Sequence, residues 1–192
     1  MSETSRQVRA ERADDEPGVD AVIRAAFAEE GETVATLWHD VRSARLWHDG
    51  YVAVEGDHVV GHVGLSHAWL DARARLVDIV LLSPLSVVPD RQRSGIGGLL
   101  LRTAVKAALR CSPVLTLEGD PGYYGARGFD AAGDHGIVPP SDRIPPAACQ
   151  VVLGQDHESW MTGRIAYPEV WWRHDAVGLR DPLLEQVEQR HG

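Results

Sequence analysis

At 192 residues, 44% apolar and 24% charged, the chain has an ordinary globular composition, long enough for one sizeable core and short for two. Its net charge of -9 excludes the extended basic surface that general nucleic-acid binding needs, and favours a cationic partner. No run of about 18 apolar residues occurs and Met1 to Asp15 has no signal-like apolar stretch, so no membrane partner is expected and a cytoplasmic location is.

Gln7 to Glu11 reads as a first strand, and Pro17-Gly18 opens a helix whose Val19, Val22, Ile23, Ala26 and Phe27 recur at the helical period. Gly31 interrupts it. A second helix from Glu32 to about Leu46 carries Val34, Leu37, Trp38 and Val41, acidic at its start and basic at its end as the helix dipole prefers. Tyr51 to Glu55 and His58 to Leu65 pair as a hairpin around Gly56-Asp57. Along the second of these strands, His62 falls on a polar face with Val60 and Ser66, and His67 on an apolar face with Val59, Val63 and Leu65. Each reads as a hydrogen-bonded structural histidine or as a residue near a ligand pocket. His39-Asp40, His48-Asp49 and His157-Glu158 read as surface pairs.

Asp71-Ala72-Arg73 makes the next turn, and Leu76 to Val88 is a mostly apolar run that fits a central strand buried on both faces. Pro84 has no N–H for the ladder, so this strand must bulge or leave a neighbour near it. Val87 and Val88 favour an extended chain, Pro89 ends it, and Gly95, Gly97 and Gly98 lead into a helix. Between Asp90 and Arg110 the cations Arg91, Arg93, Arg102, Lys106 and Arg110 face the single anion Asp90. Amides at a helix start lack intrahelical partners and sit at the positive end of the dipole, so the segment reads as a diphosphate site; the alternative is a tight turn and no more. No lysine follows the glycines as a P-loop requires, and Leu100 stands where a dinucleotide fingerprint needs a small residue.

Ile96, Leu99, Leu100, Ala104, Val105, Ala108 and Leu109 give the following helix one apolar face, with Arg102, Lys106 and Arg110 turned away. Val114 to Glu118 is the next strand, Pro121 to Arg127 a short helix, Phe129 to Ala132 a strand and Gly133 to Pro146 a loop. Ala148 to Leu153 and Ile165 to Tyr167 read as late strands, and Leu183 to Gln189 as a terminal helix. If extended, Trp171 and Trp172 point opposite ways, one toward the core and the other toward a partner. Cys111 and Cys149 are too far apart for a paired-cysteine metal site and read as reduced structural thiols.

Two motifs remain. Gln92-Arg93-Ser94-Gly95-Ile96-Gly97 follows Val87-Val88-Pro89, and Tyr124-Gly125-Ala126-Arg127-Gly128-Phe129 lies downstream. With them the chain resembles the GNAT superfamily of acyl-coenzyme A-dependent N-acetyltransferases, most sharply from about Leu81 to Ala131. The resemblance implies a single α/β GNAT domain over residues 1–192, with a core of about 7–153 and an extension of 154–192. Its mixed central sheet would have flanking helices and a parallel strand pair splayed around the pantetheine arm. It also implies acetyl-CoA as cosubstrate, no metal, a small-molecule or peptide amine as acceptor, and a homodimer.

In that family pattern the backbone N–H groups of Arg93, Ser94, Gly95, Ile96, Gly97 and Gly98 take the diphosphate, and those around Val87 and Val88 take the pantetheine and polarise the thioester carbonyl. Tyr124, with a phenol pKa of about 10, is the candidate acid for a thiolate whose conjugate acid lies near about 8.5; a core tyrosine is the alternative. Many members carry a carboxylate on the motif strand, where this chain has Ser83 and Ser86. Of the nearby acids Asp78, Glu118 and Asp120, Glu118 is the candidate base through a water relay, and each also reads as a capping or ion-pairing acid. A tighter Gly119-Asp120-Pro121-Gly122 link replaces the family's asparagine before the tyrosine helix. The rival to an acetyltransferase is a non-catalytic module that binds acyl-CoA as a sensor or structural ligand. A serine hydrolase at Ser83 or Ser86 lacks the Gly-x-Ser-x-Gly elbow.

Overall fold

The structure, a computed structural model, describes residues 6–178, so the helix expected at Leu183 to Gln189 lies outside the described residues. The chain divides into two compact units, one of residues up to Ser66 with Leu82–Ala107, the other of His67–Leu81 with residues from Ala108 onward.

The first unit contains β1 (Arg6–Ala10), α1 (Glu16–Ala26), α2 (Gly31–Ser43), β2 (Trp47–Glu55), the first part of β3 (His58–Ala72), the last part of β4 (Leu76–Val87) and α3 (Ile96–Ala108). Its strands follow the order β1-β2-β3-β4, with β1 antiparallel to β2 and β2 to β3. Pro17 sits in the first turn of α1, where its missing N–H costs nothing, and Val19, Val22 and Ile23 form the buried stripe. α2 buries Val34, Ala35, Leu37, Trp38 and Val41.

The structure differs from two sequence expectations. The β3 face assigned as polar is buried, because Trp38 of α2 covers it, its ring 5.4 Å from that of His62. His62 and Ser66 are both fully enclosed. His62 Nε2 meets Glu11 Oε2 at 3.1 Å, and Arg42 pairs with the other carboxylate oxygen. Burial holds the His62 pKa below its ordinary value despite the opposing pull of Glu11. On α3 the buried residues are Ile96, Leu100, Leu101, Ala104 and Ala108, whereas Leu99 is exposed. A turn of 100° per residue carries Leu99 to the edge of the stripe and Leu101 onto it.

The second unit holds the remaining parts of β3 and β4, then β5 (Val114–Glu118), α4 (Pro121–Tyr124), β6 (Asp130–Ala131), β7 (Ile137–Val138), β8 (Cys149–Leu153), β9 (Gly163–Ala166) and α5 (Glu169–Arg173). The strand order is β3-β4-β5-β8-β6, and β9 pairs with β3. β4 and β5 are parallel, β5 and β8 antiparallel, and the short β7 runs parallel to β9. The architecture is therefore α/β with a mixed sheet. The β4–β5 ladder registers Val80 with Leu115 and Leu81 with Thr116, short of Pro84, which has no N–H to extend it.

Gly133 to Pro146, expected as loop, contains β7. His67, placed on an apolar face by alternation, is part-exposed and pairs with Asp78 at 3.1 Å. Trp171 and Trp172 lie on α5, so about 100° of helical rotation separates them: Trp171 is buried, and Trp172 is 45% exposed.

Candidate active site

β4 stops at Val87, and a 3-10 turn at Pro89–Arg91 leads into the glycine segment. The Arg91 N–H donates to Val88 O at 2.9 Å, Gln92 Nε2 to Val87 O at 3.1 Å, and Ser94 Oγ to Arg91 O at 2.6 Å. Arg93 and Gly95 then take positive φ values of 59° and 90° before α3 begins. An added Cβ at Gly95 would meet nothing within 4 Å, so the backbone turn requires glycine there, not crowding. The next amide with a backbone partner is Leu99, which donates to Gly95 O at 3.1 Å. Among the described residues, no hydrogen bond engages the amides of Arg93, Ser94, Gly95, Ile96, Gly97 and Gly98. They form a row at the positive end of a helix of 13 residues.

The basic residues of this loop differ in availability. Arg91 is committed to Glu55 at 3.0 Å and Asp90 at 2.8 Å. Glu55 also holds Arg6 at 2.9 Å, and Arg6 Nη1 reaches Ser94 O at 3.2 Å, bracing the loop. Arg91 and then Arg6 keep the Glu55 carboxyl below its usual pKa. Arg93 has no ion pair among the described residues.

The role implied for the Val88 amide needs correction. Its N–H donates to Val60 O at 3.0 Å, an inter-strand bond, and is not open to a ligand. Ser86 is buried, and its hydroxyl points to His62 O at 3.4 Å. Ser83 is half-buried.

Tyr124 closes α4. Asp120 caps this helix by accepting from the Gly122 N–H at 2.8 Å, with Pro121 in the first turn. Gly128 at φ 88° ends the following 3-10 turn and swings Phe129 back, its ring 5.6 Å from that of Tyr124. That return is the physical content of the Tyr-x-x-x-Gly-Phe spacing. On the other side the Tyr124 ring packs on Gly119, where an added Cβ would meet it at 2.2 Å. Tyr123 is committed differently: Arg127 lies over its ring at 3.7 Å and donates to its carbonyl.

The three candidate carboxylates separate clearly. Asp120 is a helix cap, and Asp78 is an exposed partner of His67. Glu118, the last residue of β5, is in register with Cys149 of β8 and accepts from the Gly178 N–H at 3.2 Å. The Tyr167 hydroxyl faces this carboxyl from a buried position, without closing a bond of normal hydrogen-bond geometry. Burial pushes the Glu118 pKa up to about 7, opposed by Tyr167, the Gly178 amide and Arg143. A carboxyl so placed exchanges a proton near neutral pH. Burial and Glu118 together push the Cys149 thiol up to about 12, which makes it inert. Arg143, Tyr167 and Gly178 escape a local reading, since no spacing links them to Glu118; the buried aromatic after β9 is their only sequence signal.

Among the described residues, no cluster of three or more His, Cys, Asp or Glu side chains is placed to hold a metal ion. No described helix is long and apolar enough to cross a membrane.

A mixed sheet with a parallel β4–β5 pair, and a helix opening on a row of unengaged amides, describe an acyltransferase of the coenzyme A-dependent class. The acetyltransferase (GNAT) domain family matches residues 46–131. The chain is 30% identical over 168 residues to the uncharacterized N-acetyltransferase YhbS of Escherichia coli K12, covering 84% of this chain and 96% of that one. It is 34% identical over 117 residues to a second uncharacterized N-acetyltransferase of that organism, YjhQ, covering 59% of this chain and 63% of the relative, short of two thirds of its length. The crystal structure of E. coli YhbS in complex with CoA superimposes with a TM-score of 0.79 at 26% identity, over 90% of this chain and 95% of that one. A GNAT acetyltransferase from Brucella melitensis in complex with acetyl-CoA gives 0.70 at 26% identity, over 88% and 99%. The chain belongs to the GNAT family of acetyltransferases.

Proposed function

We propose that this protein moves an acetyl group from acetyl-CoA to a primary amine by direct attack within a ternary complex. The observation that carries the reading is the row of unengaged amides from Arg93 to Gly98 at the start of α3, the arrangement a diphosphate requires. The complexes of the two solved relatives with CoA and acetyl-CoA support the choice of cosubstrate.

In this reading Arg93 adds charge to the amide row, while Val87 and Val88 anchor the loop through their carbonyls. The amine attacks the thioester carbonyl, the tetrahedral intermediate collapses, and Tyr124 protonates the departing thiolate. Glu118 takes the amine proton, directly or through water. With its carboxyl at about 7, the transfer is nearly level for an α-amine of about 7.7–8.0 and steeply uphill for a lysine-like amine of about 10.4. Amines of low pKa therefore suit this base best. A cytoplasmic location and a homodimer complete the reading, the first supported by Cys111 and Cys149 standing as thiols rather than as a disulfide.

Thiol release from acetyl-CoA across a panel of amines tests the proposal, with Tyr124→Phe and Glu118→Gln as controls. Two observations favour a second reading, a non-catalytic acyl-CoA sensor: the motif strand offers Ser83 and Ser86 in place of a carboxylate, and the Val88 amide is already engaged. Tight acetyl-CoA binding with no turnover of any amine selects the sensor.

A further inference from the structure

With Glu118 as proton acceptor in the proposed reaction, its carboxylate must be stabilised inside the protein. A carboxylate that ionises inside a protein needs hydrogen-bond donors, and among the described residues the bond closed to Glu118 is from the Gly178 N–H at 3.2 Å. The groups facing it come from several elements: Cys149 from β8, Arg143 from the segment before β8, Tyr167 from the residue after β9, and the Gly178 backbone. The Cys149 thiol is a weak donor, and the Arg143 guanidinium is paired with Asp175. Tyr167 differs from both.

Tyr167 is 6% exposed, and its hydroxyl finds no partner of normal geometry among the described residues. Its ring is held against that of Trp171 at 5.7 Å, and its carbonyl accepts from Trp172 Nε1 at 3.2 Å. The hydroxyl torsion is the freedom that this leaves. Packing alone is served equally by phenylalanine, whereas a buried hydroxyl without a partner is a standing cost. That cost is recovered only when an acceptor appears in front of it.

We propose that Tyr167 is the positioning residue for Glu118: its hydroxyl donates to the carboxylate once Glu118 has lost its proton, completing a donor pair with the Gly178 N–H. While Glu118 is protonated the hydroxyl stays idle, so the bond favours the ionised state selectively. The phenol keeps its own proton throughout, since burial raises its pKa well above the ordinary value.

The test is a titration of the full-length chain labelled with 13C at the Glu side-chain carboxyls, followed by NMR, with Glu118→Gln identifying the resonance. In Tyr167→Phe the Glu118 midpoint rises by about one pH unit or more, the effect of losing one hydrogen bond to a charged group. An unchanged midpoint overturns the proposal. If that variant fails to fold, 3,5-difluorotyrosine at position 167 keeps the ring and strengthens the donor; the midpoint then falls, and a fixed midpoint is again fatal. The acidic limb of the kcat/KM profile moves in the same direction, with the high-pH plateau kept. Full turnover in Glu118→Gln would remove Glu118 as proton acceptor while leaving the NMR shift in place, so the two failures are told apart.

Discussion

The Val88 N–H donates to the Val60 carbonyl at 3.0 Å, pinning the end of β4 to β3 just before the chain turns into its glycine segment. That bond sets where the open amides begin: at Arg93, beyond the turn, and not at Val88. The open amide row and the pinned strand end are thus separate features, and they respond to different substitutions.

Gly95→Ala forces a side chain into a left-handed conformation at φ 90°, at a cost of about 1–2 kcal/mol. Relief of that strain rotates the amides of the row, so CoA affinity is expected to fall about tenfold in calorimetric titration, each ~1.4 kcal/mol being a factor of ten. Affinity unchanged within twofold would mean that the amide row does not hold the ligand.

Arg91 and Arg93 are near neighbours with opposite forecasts. Arg91 is already neutralised by Glu55 and Asp90, and exposed pairs of this kind contribute about 0–1 kcal/mol, so Arg91→Ala should change CoA affinity little. Arg93→Ala should weaken binding and flatten its dependence on salt. The reverse order, measured by titration at low and high ionic strength, would reassign the loop's electrostatics.

Tyr124→Phe keeps the ring on Gly119 and against Phe129 and removes only the hydroxyl. For loss of a general acid, kcat drops by about a hundredfold or more, with KM for acetyl-CoA nearly constant. Steady-state kinetics decide it, and a kcat within threefold of the parent would return Tyr124 to the core.

Glu118 also links stability to pH. Its carboxyl lies at about 7 in the folded chain against an ordinary 4.5, so between those values the folded state holds a proton that the unfolded state has released. Stability therefore falls as pH rises through that window, by at most about 3 kcal/mol at ~1.36 kcal/mol per unit. Glu118→Gln should match the parent near pH 4, exceed it above pH 7, and flatten the profile of Tm against pH. A parallel profile would mean that the carboxyl is not strained by burial.

Glu11 anchors the buried group of Arg42 and His62. Glu11→Ala leaves a mostly buried guanidinium whose remaining ion pair among the described residues is Glu16 at 3.6 Å, and the expected loss is about 3 kcal/mol in urea unfolding. A loss below about 1 kcal/mol would show that the guanidinium reaches water instead.

Much of this molecule was legible from short stretches of chain. The helical period of Val19, Val22 and Ile23, the turn at Gly56-Asp57, and the strand from Val114 to Glu118 all depend on neighbours a few positions away, and each lies within the element observed there. The glycine segment and Tyr124 were readable for the same reason: positive φ at Gly95 and Gly128 is a local demand that names its residue. Alternation failed on β3, because a period of two reports faces only when one of them is wet, and α2 lays Trp38 over the side that His62 occupies.

Glu118 marks the boundary most sharply. Its identity and its place at the end of a strand are in the sequence, but its proton affinity is the balance of burial against Tyr167, the Gly178 amide and Arg143. Those groups come from chain segments far apart and pull the carboxyl down, while burial outweighs them and lifts it into the neutral range. Bonds between near neighbours write the loop and the helices; the dielectric around an acid is made by whatever the fold packs against it.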